Sequence, residues 1–184
     1  METSNVCETL IDNNHCSNIF EKFAVRAIIS DYIEICELFK FATEYYKNKG
    51  IKQWDKGYDL VKIYQSIILH EMFVIRNDRG ILLCTFAISN QLPNYYPKHL
   101  QVDSNTWVVK SLCTNLKHKS FIGRKIVGNI IKTADNNCIQ KIYLDYVMDN
   151  PILEVFYKRY GFRRITIAEH PRYAQNMVIM AREK

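Results

Sequence analysis

Residues 144–162 read LDYVMDNPILEVFYKRYGF. The stretch opens at the end of an apolar, β-branched and aromatic run, 141–147, which has strand composition. Asn150-Pro151 then reads as a helix start. Asn is a favoured N-cap, and the fixed φ of proline suits the first helical position. The helix carries Phe156 and Tyr157 and runs to Tyr160. Gly161 closes it, because a residue without Cβ takes the left-handed C-cap conformation at no steric cost. A strand, a short turn and a helix therefore lie back to back.

A second unit of the same kind lies just upstream. Residues 106–113, with Trp107, Val108, Val109 and Leu112, read as a strand. Residues 122–135 read as a helix with Ile126, Ile130 and Ala134 inward. The junction between them is SLCTNLKHKSFIGRKIV, at 111–127. A helix N-terminus has N–H groups without intrahelical partners and a partial positive charge, so it suits phosphate. Lys117, His118, Lys119, Arg124 and Lys125 surround that junction, and Gly123 permits close backbone approach. Basic residues at a helix start also occur as plain solvated surface, and Gly123 also reads as a packing glycine.

The rest of the chain fits around these two units. Residues 23–29, FAVRAII, read as a first strand. Ser30-Asp31 follows as a cap, then Tyr32, Cys36, Phe39, Thr43 and Tyr46 at helical steps, with Gly50 as the stop. Residues 59–70 repeat the pattern with Leu60, Ile63, Tyr64 and Ile67. Residues 73–76 and 81–89 form a hairpin about the turn residues Asn77-Asp78-Arg79-Gly80. Residues 90–105, with Pro93 and Pro97, read as a loop, and 163–168 and 177–181 as the last strands. The order β-α-α-β-β-β-α-β-α-β-β predicts a mixed α/β layer fold.

Composition sets the outer bounds. The chain has 184 residues, of which 48% are hydrophobic and 24% charged, so a disordered chain is excluded and one domain is expected. Residues 1–22 are rich in Asn, Ser and acidic groups and read as an extension before a domain at 23–184. The net charge of +6 favours anionic ligands without choosing among them. Six cysteines are scattered singly, with no CxxC pair and no paired histidines, so no metal site is expected. The N-terminus has no basic start and no apolar core of a secretory signal, and no apolar run is long enough to span a bilayer. A cytoplasmic protein with reduced thiols is expected.

The stretch quoted first resembles the GNAT superfamily of acetyl-coenzyme A dependent N-acetyltransferases. That family's penultimate helix reads approximately N-x5-FY-x3-GF, and Asn150, Phe156, Tyr157, Gly161 and Phe162 stand at that spacing. The family's phosphate-loop pattern, Q/R-x-x-G-x-G/A, aligns with His118 to Gly123. His118 takes the first position, Phe121 replaces the first glycine and Gly123 keeps the last. A side chain at Phe121 implies a different backbone angle or a shielded phosphate oxygen.

The resemblance implies a mixed, mostly antiparallel sheet flanked by helices. It also implies two splayed parallel strands, 106–113 and 141–147, with the pantetheine of acetyl-coenzyme A between them. Leu112 and Cys113 would bond the pantetheine through their backbone. The amides of Lys119, Ser120, Phe121, Ile122, Gly123 and Arg124 would hold the diphosphate beside His118. Asn150 would reach the pantetheine or order its loop, and Tyr157 would protonate the departing thiolate. The expected acceptor is a small-molecule or peptide amine, with no nucleic acid, no membrane and no metal, on a monomer or homodimer.

Each residue also has a plainer reading. Tyr157 fits an ordinary core tyrosine, Asn150 an N-cap alone, and Cys113 a packing thiol. Trp54 fits either the acceptor pocket or the turn between the first two helices. No carboxylate lies between 106 and 113, where the family often has a glutamate; Lys110 stands there instead. Asp145, Glu44, Glu71 and His70 remain as candidate bases. Asp145 doubles with Trp54 as a candidate acceptor contact. A site that binds acyl-coenzyme A or an anionic partner without turnover is the second reading, and a basic nucleic-acid surface at Lys158, Arg159, Arg163 and Arg164 with Tyr160 the third.

Overall fold

The computed structural model describes residues 19–20, 23–118 and 122–184. The chain runs β1 (Val25–Arg26), a 3-10 turn (Ile29–Asp31), α1 (Tyr32–Asn48), α2 (Leu60–Ile68), β2 (Met72–Arg76) and β3 (Leu82–Ser89). It continues with β4 (Thr106–Thr114), α3 (Ile122–Asn136), β5 (Lys141–Val147), α4 (Pro151–Lys158), β6 (Arg163–His170) and β7 (Gln175–Glu183). This is the expected order.

Local chemistry sets the joints. Between β2 and β3 the Asn77 carboxamide oxygen accepts from the N–H of Arg79 and of Ile81, each at 3.0 Å. Gly80 takes φ 77° in that turn, so a hairpin of this type needs the glycine. Asp59 caps α2 by accepting from Val61 N at 3.2 Å. Pro151 opens α4, and Gly161 follows its end with φ 82°.

The strands form one sheet in the order β1-β2-β3-β4-β5-β7-β6. Every pairing is antiparallel except β4 with β5. Strand periodicity divides the core into two layers. Met72 and Val74 of β2 pack with Ile35, Phe39, Ile63 and Ile67 of α1 and α2. Phe73 and Ile75, pointing the other way, pack with Ile126 and Ile130 of α3 and Tyr157 of α4. The second layer reaches back to Phe20, whose ring stands edge-on to Phe73 at 4.8 Å and Phe86 at 5.2 Å.

Four details differ from the sequence reading. The first strand shrinks to Val25–Arg26, because the Asp31 carboxylate accepts from Ile28 N at 2.8 Å and turns the chain. The inward face of α1 is Ile35, Leu38, Phe39 and Ala42, with Tyr32, Cys36 and Tyr46 half-buried at its flank. On α2, Ile63 and Ile67 are buried while Leu60 and Tyr64 are exposed. The last hairpin is longer than its apolar core, since pairing continues through Glu169↔Asn176 and His170↔Gln175. Among the described residues no helix is long and apolar enough to cross a membrane.

Candidate active site

The parallel pair stops halfway. β4 and β5 are in register from Thr106↔Lys141 to Val109↔Leu144 and no further. Yet β4 continues to Thr114 and β5 to Val147. A bulge is the cause. Ala87 of β3 faces Lys110 and Thr85 faces Cys113, so three steps of β4 match two of β3. Ser111 absorbs the extra residue with φ 56°, a left-handed conformation unusual for a side chain with Cβ. The Tyr58 hydroxyl and Ser111 Oγ hydrogen-bond at this point. Meanwhile β5 stays paired with β7 out to Val147↔Met177. The two parallel strands therefore diverge, and the backbone groups facing the gap lack a ladder partner.

A cavity of about 600 Å³ fills the gap. At one end stand Gly123 of α3 and Ile152, Leu153 and Phe156 of α4; at the other stand Gln65 and Leu69 of α2 and the loop 91–95. Leu112, Cys113, Trp54, Asp145 and Tyr157 all lie in its wall. Trp54 is packed edge-on to Phe39 at 5.0 Å and Tyr58 at 5.5 Å, so it lines the cavity and anchors the turn at once.

Tyr157 is buried on α4, between Phe156 and Phe162 with ring centroids 5.2 Å and 5.9 Å away. Its hydroxyl makes no hydrogen bond among the described residues. Burial pushes its phenol above the ordinary range, and the nearby Asp145 adds to this. The phenol is therefore protonated at neutral pH. Burial likewise raises the Cys113 thiol. A thiol so raised is a poor nucleophile, which fits a packing role.

Not every expected residue reaches the cavity. Asn150 is buried at the N-cap position of α4, but its side chain makes no capping hydrogen bond and lies outside the wall. His118 is exposed in the turn after β4. Ile122 is half-buried against the core, and Arg124 is exposed, its carbonyl accepting from the Tyr160 hydroxyl at 3.1 Å. Lys119, Ser120 and Phe121 lie outside the described residues. Of the four candidate bases, Glu44 and His70 are exposed and away from the wall, whereas Asp145 and Glu71 line it. Lys110 closes onto Glu71 at 3.1 Å.

Three features of the site carry no sequence signal. Tyr95 and Tyr96, from the loop before β4, donate to Asp145 Oδ2 at 2.6 Å and 2.9 Å. Tyr58 meets the bulge. His170, at the end of β6, stacks on Tyr173 at 4.4 Å and lies 4.6 Å from Tyr95.

No protein-family model matches the sequence, and no curated protein matches it. Solved structures do match in shape. A GNAT-family acetyltransferase from Listeria monocytogenes is 18% identical with a TM-score of 0.70, over 88% of this chain and 94% of that one. A GNAT-family acetyltransferase from Streptococcus agalactiae is 13% identical with a TM-score of 0.72, over the same shares. An aminoglycoside acetyltransferase in complex with coenzyme A and kanamycin is 16% identical with a TM-score of 0.66, again over 88% and 94%. The chain has the fold of the GNAT acetyltransferases.

Proposed function

We propose that this protein is an N-acetyltransferase that moves an acetyl group from acetyl-coenzyme A to a primary amine, by direct attack in a ternary complex. One observation carries the reading: the β4–β5 pair opens into a cavity at whose wall a buried, protonated phenol waits. The walls suit the cofactor. The unpaired backbone beyond Val109 offers donors and acceptors to the pantetheine amides, and Ile152, Leu153 and Phe156 offer apolar surface. The start of α3, with the segment 119–124, offers N–H groups to the diphosphate. Among the described residues, a Cβ added at Gly123 would meet only Thr114 Cγ2, at 4.0 Å.

Acetyl-coenzyme A, when bound, supplies the acetyl group as a thioester. As the C–N bond forms and the C–S bond breaks, Tyr157 gives its proton to the leaving sulfur. The ammonium loses two protons on the way to the amide. One replaces the proton lent by Tyr157 and the other leaves to solvent. The backbone of Asn150 orders the turn into α4, its N–H donating to Val147 O at 2.9 Å and its carbonyl accepting from Leu153 N at 3.1 Å.

Lys110, closed onto Glu71 in the wall, is the observation that favours the second reading, a site that binds without turnover. Release of free thiol from acetyl-coenzyme A, dependent on an added amine, separates the two. Thiol release supports the enzyme; saturable cofactor binding with no release for any amine leaves the binding module.

Gly123→Ala tests the phosphate end. Among the described residues no atom crowds the new methyl group, and alanine is the better helix former. The melting temperature is expected to hold or rise while affinity for coenzyme A falls about tenfold, or about 1.4 kcal/mol. Unchanged affinity would move the diphosphate away from α3.

A further inference from the structure

Among the described residues two carboxylates line the cavity, Glu71 and Asp145. They are held differently. Both Glu71 oxygens are taken: Oε2 accepts from the Lys110 ammonium at 3.1 Å, and Oε1 accepts from Ser89 Oγ at 2.5 Å. That pair carries no net charge, and a proton placed on Glu71 would cost Lys110 its counter-ion. Asp145 has neutral partners instead. The Tyr95 and Tyr96 hydroxyls both donate to Oδ2, at 2.6 Å and 2.9 Å. Oδ1 has no hydrogen bond among the described residues, and it is not one of their sealed polar atoms. It is therefore open to the cavity. Tyr157 shares that cavity, and after burial the Asp145 charge is the largest influence that keeps its phenol protonated.

The groups around Asp145 pull its titration both ways. Burial, the largest effect, raises the carboxyl above its usual value. The two tyrosine hydroxyls oppose it, followed by Lys62 of α2 and Lys110 of β4. Lys110 is already offset by Glu71. Tyr58 and Tyr157 face Asp145 as neutral phenols. His170, against the Tyr95 ring, is pushed down to about 4 by burial and is neutral as well. On β7 the residue beside Asp145 is the apolar Ile179. A carboxyl raised in this way takes up a proton more readily than one in water.

Resting on the acetyl-transfer reading, we propose that Asp145 is the catalytic base: Oδ1 receives the acceptor's ammonium and takes its first proton, while Tyr95 and Tyr96 hold the other oxygen in place. The base thus comes from β5, across the split from β4, where Lys110 stands. An N–H bond breaks toward Oδ1, and the freed lone pair forms the C–N bond to the acetyl carbon. The C–S bond breaks, and Tyr157 gives its proton to the sulfur. The second nitrogen proton returns to the Tyr157 oxygen, and Asp145 releases the first to solvent. The acceptor class that follows is an alkylamine, which arrives as an ammonium. An arylamine is neutral in water and brings no charge for Asp145 to hold.

The test is thiol release by the full chain from pH 5 to 9.5, with n-propylamine, phenethylamine, spermidine, kanamycin, L-lysine and aniline. The best alkylamine is expected to exceed aniline in kcat/KM by at least tenfold. With that alkylamine, kcat/KM of the parent is expected to be level around neutral pH and to fall below an acid edge set by Asp145. Asp145→Asn is expected to lose about 10²-fold or more at pH 7 and to regain about tenfold per unit as the pH rises, since water then takes the proton. A merely structural fault leaves a constant deficit. The dissociation constant of acetyl-coenzyme A should stay within twofold. Asparagine keeps an oxygen for the two tyrosines, and melting temperature checks the fold. Tyr95→Phe removes a donor that favours the ionised carboxyl, so its acid edge should move to higher pH; it decides alone if Asp145→Asn does not fold. Aniline turned over as well as the best alkylamine, a deficit that is under threefold or independent of pH, or an unmoved edge in Tyr95→Phe overturns the inference and leaves acetyl transfer standing. If no amine releases thiol, the acetyl-transfer reading falls, and the role of Asp145 with it.

Discussion

Tyr157→Phe is expected to lower kcat by about 10²–10⁴-fold, the usual worth of a positioned general acid. The cofactor dissociation constant should barely change. Phenylalanine keeps the ring that packs against Phe156 and Phe162, and the lost hydroxyl makes no hydrogen bond among the described residues. Stability should therefore hold, so the kinetic loss can be read as chemistry. Burial makes this phenol hard to ionise on its own. It releases its proton only to a strong acceptor, such as a thiolate in the act of leaving. Single-turnover rates and melting temperature for both proteins are the measurement. A kcat within threefold of the parent at unchanged stability would remove Tyr157 from the reaction.

The second large effect is on stability below neutral pH. An unfolded histidine titrates near 6.5, whereas His170 in the folded chain is pushed down to about 4. Between those values the unfolded chain takes up a proton that the folded chain refuses. Stability is therefore full above about pH 6.5, falls as the pH drops toward 4, and then levels off. The loss attributable to this one side chain is on the order of 3 kcal/mol. Its causes are burial first, then Lys62 and Arg172, with Asp59 opposing them. Asp145 acts in the opposite sense. Its carboxyl is raised by folding, so its contribution falls as pH rises through the acid range. Urea midpoints for the parent and His170→Gln from pH 4.5 to 7.5 separate the two. The glutamine variant loses ring stacking at every pH, so its offset is uninformative, but its acid-side slope should be flatter. Equal slopes would mean that His170 is protonated as readily in the folded chain as outside it.

The parts of this molecule that were legible in the sequence depend on neighbours in the chain. The strand Lys141–Val147, the proline start of α4 and the glycine that ends it are each fixed by residues a few positions apart. Spacing alone fitted Tyr157 as a core tyrosine, and only the family resemblance pointed it toward the cavity whose wall it joins. The split between β4 and β5 was reached by family resemblance alone. Its physical cause, a bulge at Ser111, leaves no mark, because a serine with φ 56° looks like any strand serine. The acceptor end was the least legible. Asp145 draws its partners from Tyr95 and Tyr96, some fifty residues away in a loop that read only as polar and proline-rich. Long-range pairing also decided among the carboxylates. Glu44 and Glu71 look alike in the sequence, but α1 turns the first to solvent, and the turn into β2 carries the second to the cavity, where Lys110 and Ser89 hold it. Asn150 misled in a smaller way, since it occupies the cap position without using its side chain as a cap.

A calorimetric titration of the full chain with acetyl-coenzyme A tests the central claim most directly. The account predicts saturable binding of one molecule per chain, accompanied by a rise in melting temperature and weakened about tenfold by Gly123→Ala. No heat and no change in melting temperature at millimolar acetyl-coenzyme A would contradict it.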